Sequence, residues 1–211
     1  MGVTIVSEAI EAYLHRTGPS QDPILLEMEE RARRDHFPIV GPLVGRVLHQ
    51  LTRISRATRI LELGSGFGYS GYWFASALGD DGQITLTDAS DSNLASAKDH
   101  FQRGGISCQL ECRSGDALET MDALPGSFDI VFNDVDKHAY PLVFEKASRR
   151  LRPGGLLISD NVLIRGEVLA PSEEENVQGI LEYTRLIFNS PDFFSSIIPI
   201  RDGISVSVKS G

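Results

Sequence analysis

The sequence predicts an α/β fold, a doubly wound and mostly parallel sheet of seven strands finished by an antiparallel hairpin. Three observations predict it. The first is the stretch from Arg59 to Ser70, where an apolar run (Ile60, Leu61, Leu63) ends in glycines at alternate positions, Gly64, Gly66 and Gly68. A helix-compatible apolar segment follows, so the stretch reads as buried strand, glycine loop and helix. The second is the alternation of short apolar runs with helical periodicity that continues to Ser159. The third is Asp202-Gly203, a hairpin-turn dipeptide between two apolar runs near the C-terminus.

Taken in order, three helices come first. Residues 7–16 carry Ile10, Tyr13 and Leu14 at helical spacing and stop at Gly18-Pro19. Residues 23–36 are highly charged, with Ile24, Leu25 and Met28 on one side, a solvated helix with an apolar stripe. Residues 42–54 are amphipathic through Leu43, Val47, Leu48 and Leu51, and Pro42 suits a first helical turn. Together they read as a cap on the sheet, shaping a substrate cleft or a dimer face. Strands are expected at 59–63, 83–87, 107–112, 128–132 and 156–159, with helices at 70–78, 91–103 and 140–151 and a short turn near 118–121. Gly104-Gly105 and Pro153-Gly154-Gly155 supply the stops. Units of this length give parallel strands with right-handed crossovers. Residues 161–171 are too irregular to assign. Ser172-Glu173-Glu174-Glu175 has the form of a capping box opening a helix to about Phe188. Strands at 194–200 and 204–208 then flank the hairpin turn.

Length and charge bound the function. At 211 residues and 41% apolar residues the chain can bury one substantial core, so a single domain over 1–211 is expected, with 1–56 as helical cap and 57–211 as core. A net charge of −9 argues against a general binder of nucleic acid or anionic membrane. No apolar run approaches the ~18 residues of a membrane span. The N-terminal residues lack a secretory pattern, and Gly2 with Ser7 has only the outline of a promiscuous myristoylation site. Cys108 and Cys112 fall in one expected strand, about 13 Å apart and beyond disulfide reach. No second pair completes a zinc site, which points to core residues of a protein in a reducing cytoplasm.

Ligands of open α/β sheets lie beyond the carboxyl ends of the strands. Three polar sets fall there: Glu62 with the glycine loop, Asn133-Asp134-Val135-Asp136-Lys137, and Asp160-Asn161. Asp88 ends the second strand 20 residues after Gly68, where a carboxylate can accept both hydroxyls of a ribose. The GxGxG spacing leans towards S-adenosylmethionine (SAM) over a nicotinamide. Asp134, Asp160 and Asn161 form an all-oxygen set suited to Mg²⁺, Mn²⁺ or Ca²⁺. Asp and Asn are also common turn and cap residues at strand ends, so spacing alone leaves a metal site open.

These residues carry a resemblance. The run Leu61 to Ser70, the Asp88 strand end, Gly115-Asp116-Ala117, Phe132 to Lys137 with Tyr140, Pro153-Gly154-Gly155, and Ile158 to Val162 with Gly166 are similar to the cation-dependent O-methyltransferases, the family of the caffeoyl-CoA and catechol enzymes. The similarity runs from about Pro38 to the end, and Pro42, Gly45 and Asp202-Gly203 also match. The resemblance implies the class I methyltransferase (Rossmann-like) fold, with SAM and a divalent cation, Mg²⁺ foremost, as cofactors. It implies Asp134, Asp160 and Asn161 as metal ligands and Lys137 as general base. Glu62, Gly64 and Ser70 match positions that hold the methionine part of the cofactor, and Ser65 and Gly66 match further cofactor-binding positions. Asp88 matches the ribose carboxylate, Ala89 a further cofactor-binding position, Asp116 with Ala117 the adenine region, and Asp134 borders the cofactor as well. Val40 falls where a backbone group touches the cofactor. A catechol-like substrate would place two adjacent oxygens on the metal, and a homodimer is the family's expected assembly.

Departures narrow the substrate. Asn133 and Val135 replace an apolar and a small neighbour of the first metal aspartate, without removing a ligand. Ile164 stands where plant members carry tryptophan, and 172–179 lacks their substrate-contacting basic and tyrosine residues, which disfavours a CoA thioester. Arg165, Glu167 and the N-terminal helices are the expected selectors of a small dihydroxyphenyl compound. Other readings stay open here: a metal-independent methyltransferase on another nucleophile, a silent SAM-binding protein, or a nicotinamide oxidoreductase. A nucleic-acid methyltransferase is disfavoured by the acidic balance and by the lack of an Asn/Asp-Pro-Pro-aromatic tetrad after the fourth strand.

Overall fold

The computed structural model describes residues 5–18 and 22–211. Gly2 and Pro19, and with them the myristoylation outline and half of the first helix stop, lie outside the described residues.

Three helices lead in: α1 (Glu8–Thr17), α2 (Pro23–Asp35) and α3 (Gly41–Ser55). Ser7 caps α1 by accepting from Ile10 N, and Asp22 caps α2 by accepting from Ile24 N at 2.7 Å. Both are short polar side chains placed to satisfy otherwise unpartnered first-turn amides. The core then alternates β1 (Arg59–Leu63), α4 (Tyr69–Ala75), β2 (Gln83–Asp88), α5 (Asp91–Arg103), β3 (Gln109–Ser114), α6 (Ala117–Ala123) and β4 (Phe128–Asn133). It continues with α7 (Tyr140–Arg150), β5 (Leu151–Ser159), α8 (Glu175–Asn189), β6 (Phe193–Ile198) and β7 (Ile204–Lys209).

The seven strands run in the order β3-β2-β1-β4-β5-β7-β6, parallel from β3 to β5 and antiparallel through β7 and β6. Both sheet faces are covered, and the two-residue period of a strand divides its side chains between them. Ile60, Ile130, Phe132 and Ile158 join a core with α2–α5, while Leu61, Val131 and Leu157 join one with α6–α8. The chain leaves β1 towards β3 on one side and β4 towards β5 on the other, so a crevice opens between the ends of β1 and β4.

Several expectations need correction. The third strand begins at Gln109, so Cys108 precedes it, buried, and only Cys112 lies on it; both are free thiols. The turn near 118–121 is a full helix, α6, because Asp116 caps it through two amides. Pro153-Gly154-Gly155 stops no helix: α7 ends at Arg150 and these residues lie inside β5. There they take up a register shift against β4, with Gly154 at φ 73° and no room for a side-chain carbon at Gly155, 2.9 Å from Arg152 O. Ser172 makes no capping box. Its Oγ accepts from Glu174 N, and Glu174 is the N-cap of α8 without a side-chain bond. The hairpin turn spans 199–203 and places Arg201 and Gly203 at positive φ. Finally, α1 buries none of its residues, and Ile10 and Tyr13 stay more than half exposed.

Candidate active site

Strand register assembles the site. Leu63 pairs with Asn133 and Asn133 with Ser159, so the next residues along, Gly64, Asp134 and Asp160, emerge side by side. Asp134 N donates to Leu63 O at 3.0 Å, and Asp160 N to Asn133 O at 3.1 Å. Gly64, at φ 81°, is the close approach: a side-chain carbon there would sit 2.7 Å from Asp134 O.

The glycine loop is tied to β2. Gly66 N donates to Asp88 Oδ2 at 2.9 Å, while Asp88 Oδ1 accepts from Ser90 N and the Asn93 amide. Both acceptor sites of Asp88 Oδ1 are thereby used, and Oδ2 keeps one beyond its bond from Gly66 N. Glu62 lies beneath the loop, fully buried. The Ser70 hydroxyl donates to its Oε1, whereas Oε2 has no partner and lies against Gly71. Burial foremost pushes its carboxyl up to about 8; the charges of Asp134 and Asp88 add to this, and the Ser70 bond opposes it.

A cavity of about 200 Å³ opens over the loop, lined by residues 37–40, 64–67, Tyr69, Ser70, Asp88 and Asp134. It brings together Val40, Gly64, Ser65, Gly66, Ser70, Asp88 and Asp134 of the expected cofactor residues. Ala89, Asp116 and Ala117 do not line it, and Asp116 Oδ1 is taken up in capping α6. The Phe37-Pro38-Ile39 strap, Phe67 and Tyr69 line it too. The sequence singles out none of them, although Pro38 after α2 marks a chain that must leave the helix.

Beside it lies a larger cavity of about 1030 Å³. Its walls include Glu8, Glu11 and His15 of α1, Glu29 and Arg33 of α2, Lys137, Asn161, Ile164, Arg165, Glu167 and Arg201. The expected selectors Arg165 and Glu167 are therefore present, together with Arg201, which sequence reasoning passes over. Lys137 Nζ donates to Asp134 Oδ1 at 2.8 Å and to Val135 O at 3.3 Å. Burial raises both Asp134 and Asp160; the Lys137 charge opposes this at Asp134, and the Asp134 charge adds to it at Asp160.

Behind the strand ends runs a chain of buried polar groups. Asn133 Nδ2 donates to Ser159 Oγ at 3.1 Å, and Tyr183 OH bonds both Ser159 Oγ and Ser205 Oγ. This satisfies the donor half of the buried amide beside the first aspartate, while its Oδ1 has no partner. Tyr140 OH donates to Asp160 O at 2.8 Å and fixes that strand end.

The site's chemistry fits a hard cation. Asp134 disfavours the ionised form of Asp160 on the paired strand end, the Lys137 ammonium is ion-paired with Asp134, and the charges of Lys137 and Arg201 only partly offset burial at Asp160. Among the described residues no group of three or more His, Cys, Asp or Glu is arranged to hold a metal. A cation held by the residues that the resemblance implies would rest on two carboxylates and the Asn161 amide, an oxygen set of the Mg²⁺ type. The unpartnered Glu62 oxygen and the bare backbone of Gly64 and Gly66 likewise fit a cofactor lying against the loop.

Comparison with known proteins identifies the family. A sequence model described as O-methyltransferase matches residues 17–210. A catechol O-methyltransferase of Niastella koreensis is 32% identical over 189 residues, 86% of each chain. The crystal structure of an O-methyltransferase from Bacillus cereus in complex with SAH superposes with a TM-score of 0.87 at 30% identity, covering 96% of this chain and 97% of that one. An O-methyltransferase of Streptomyces achromogenes involved in tomaymycin synthesis, solved with SAM, gives 0.88 at 28% identity, covering 96% of each chain.

Proposed function

The chain belongs to the O-methyltransferase family and is a SAM-dependent O-methyltransferase, and from that premise we propose that it methylates a catechol-like small molecule with the help of a divalent cation. In this reading residues 1–211 act as one methyltransferase domain, in a reducing cytoplasm consistent with two free thiols. No helix among the described residues is long and apolar enough to cross a membrane. A homodimer is the proposed assembly, with the exposed apolar side chains of α1 as its candidate face.

The observation that supports the reading most is the pairing of Asp134 and Asp160 on adjacent strand ends, with Lys137 Nζ 2.8 Å from Asp134. Bound SAM supplies an electrophilic methyl group on a sulfonium. Asp134, Asp160 and Asn161 would hold the cation, which lowers the pKa of a neighbouring substrate hydroxyl. Lys137 would act as general base in its neutral amine form, after its ammonium has released a proton to solvent, and Nζ then accepts the hydroxyl proton. The glycine loop and the 37–40 strap hold the cofactor, with Asp88 for the ribose and Asp116 and Ala117 towards the adenine. Fixing nucleophile and methyl within about 3 Å, in line, supplies a large part of the barrier reduction. The lining of the larger cavity sets six carboxylates against Arg33, Lys137, Arg165 and Arg201, a small acidic excess that gives a polyanionic CoA thioester no net attraction.

Methyl transfer from SAM to a catechol and to the corresponding monophenol tests the substrate class. The catechol is the expected acceptor, with the monophenol at least about a hundredfold slower, because a single oxygen cannot be both held and methylated in the same way. Equal rates would remove the need for vicinal oxygens.

A further inference from the structure

Arg201, at the tip of the β6–β7 turn, has a backbone conformation that its side chain does not favour. Its φ is 49°, in the left-handed region where a Cβ is costly. Its side chain leaves the turn and donates from Nη1 to the Ile39 carbonyl at 2.9 Å, across 162 residues of sequence. Gly41 makes the approach possible: a side-chain carbon there would lie 2.1 Å from that nitrogen.

The carbonyl so held belongs to the strap that separates the two cavities. Phe37, Pro38 and Ile39 line both, and Val40 lines the smaller one. No cis peptide occurs among the described residues. The Ile39–Val40 peptide is therefore trans and planar, with its C=O and N–H pointing in opposite directions. A carbonyl fixed on the hairpin side turns the Val40 N–H away from the hairpin.

We propose that Arg201 is a positioning residue for the cofactor: by holding Ile39 O, it aims the Val40 N–H at the carboxylate of the cofactor's amino-acid end. This rests on the smaller cavity being the SAM site. The role is specific to one group of the ligand, because an amide N–H recognises the carboxylate and leaves the nucleoside unaffected.

Competition calorimetry with SAM and decarboxylated SAM separates this from a general structural role. Arg201→Gly is the variant of choice, since glycine takes a φ of 49° without strain and a folded protein is expected. Thermal unfolding of the cofactor-free variant confirms that. In the glycine variant SAM should bind about tenfold more weakly while decarboxylated SAM binds as to the parent protein, the loss expected for one misaimed charge-assisted hydrogen bond. Arg201→Lys, which keeps a donor, should recover part of the preference. Equal losses for both ligands, or no loss for either, would overturn the proposal and leave the cofactor site standing. A parent protein that binds neither ligand would overturn both.

Discussion

Glu62 and Lys137 give the site its most direct tests at the scale of single residues. The Glu62 carboxyl is held near 8 in the folded chain and returns to about 4.5 on unfolding. Between those values the folded state holds a proton that the unfolded state has released. Its contribution is therefore complete below about pH 4.5 and is lost as pH rises towards 8. Urea unfolding of the cofactor-free protein should give a stability that falls with pH relative to Glu62→Gln, by at most about 1.4 kcal/mol per pH unit. Parallel profiles for the two proteins would contradict the buried proton. Lys137→Ala should slow transfer to a catechol by ~10²–10⁴-fold, the usual worth of a general base, while SAH affinity stays within a few fold. A loss below about tenfold would assign the proton to another group. Asp134, Asp160, Lys137 and the glycine loop are legible in the sequence because each stands at a strand end fixed by a glycine or an apolar run. Arg201 and the 37–39 strap are not legible, since their roles arise from a contact between the first and last quarters of the chain. Nothing local to Ile39 announces Arg201.

Among the elements, the amino ends of β1, β4 and β5 are joined by one carboxylate. Asp129 Oδ2 accepts from Thr58 N and Arg59 N, each at 2.7 Å, and from the Thr58 hydroxyl, while Arg152 Nε donates to Oδ1. Burial raises its pKa, and these donors together outweigh that and leave it below the ordinary value. Its contribution is thus present above the usual carboxylate range and is lost as pH falls. Asp129→Ala should cost about 3 kcal/mol in urea unfolding at neutral pH, because it leaves two strand-end amides and a guanidinium without their partner. A loss under about 1 kcal/mol would mean that water replaces the carboxylate. The elements themselves are mostly readable from period and glycine: β1 and α5 fall where the pattern places them. The failures have physical causes. Pro153-Gly154-Gly155 looks like a helix stop, but Leu151 already pairs with Phe128, and the glycines absorb the register shift. Ser172 precedes three glutamates as a capping serine would, yet α8 starts three residues later, and a side-chain carbon at Gly179 would lie 2.4 Å from Lys137 O. Tertiary packing of α8 against the segment carrying Lys137 sets that start, and a local motif cannot report it.

At the scale of the whole molecule, the sheet order brings four distant segments to one crevice: the strap, the glycine loop, and the ends of β4 and β5. The order β3-β2-β1-β4-β5-β7-β6 was predictable in kind from alternating strands and helices and from the closing hairpin. The cavity walls contributed by α1 and α2 were foreseeable only as a cap, because polar helix faces carry no signal of what they enclose. In the proposed reading the oxygens at the ends of β4 and β5 hold a divalent cation that assists methyl transfer. The most direct test is transfer from SAM to a catechol by protein dialysed against EDTA, measured again after Mg²⁺ is restored. EDTA should lower turnover by at least about a hundredfold and Mg²⁺ should restore it, with no restoration in Asp160→Ala. Turnover indifferent to EDTA would contradict that reading and make Asp160 and Asn161 structural residues of a metal-independent enzyme.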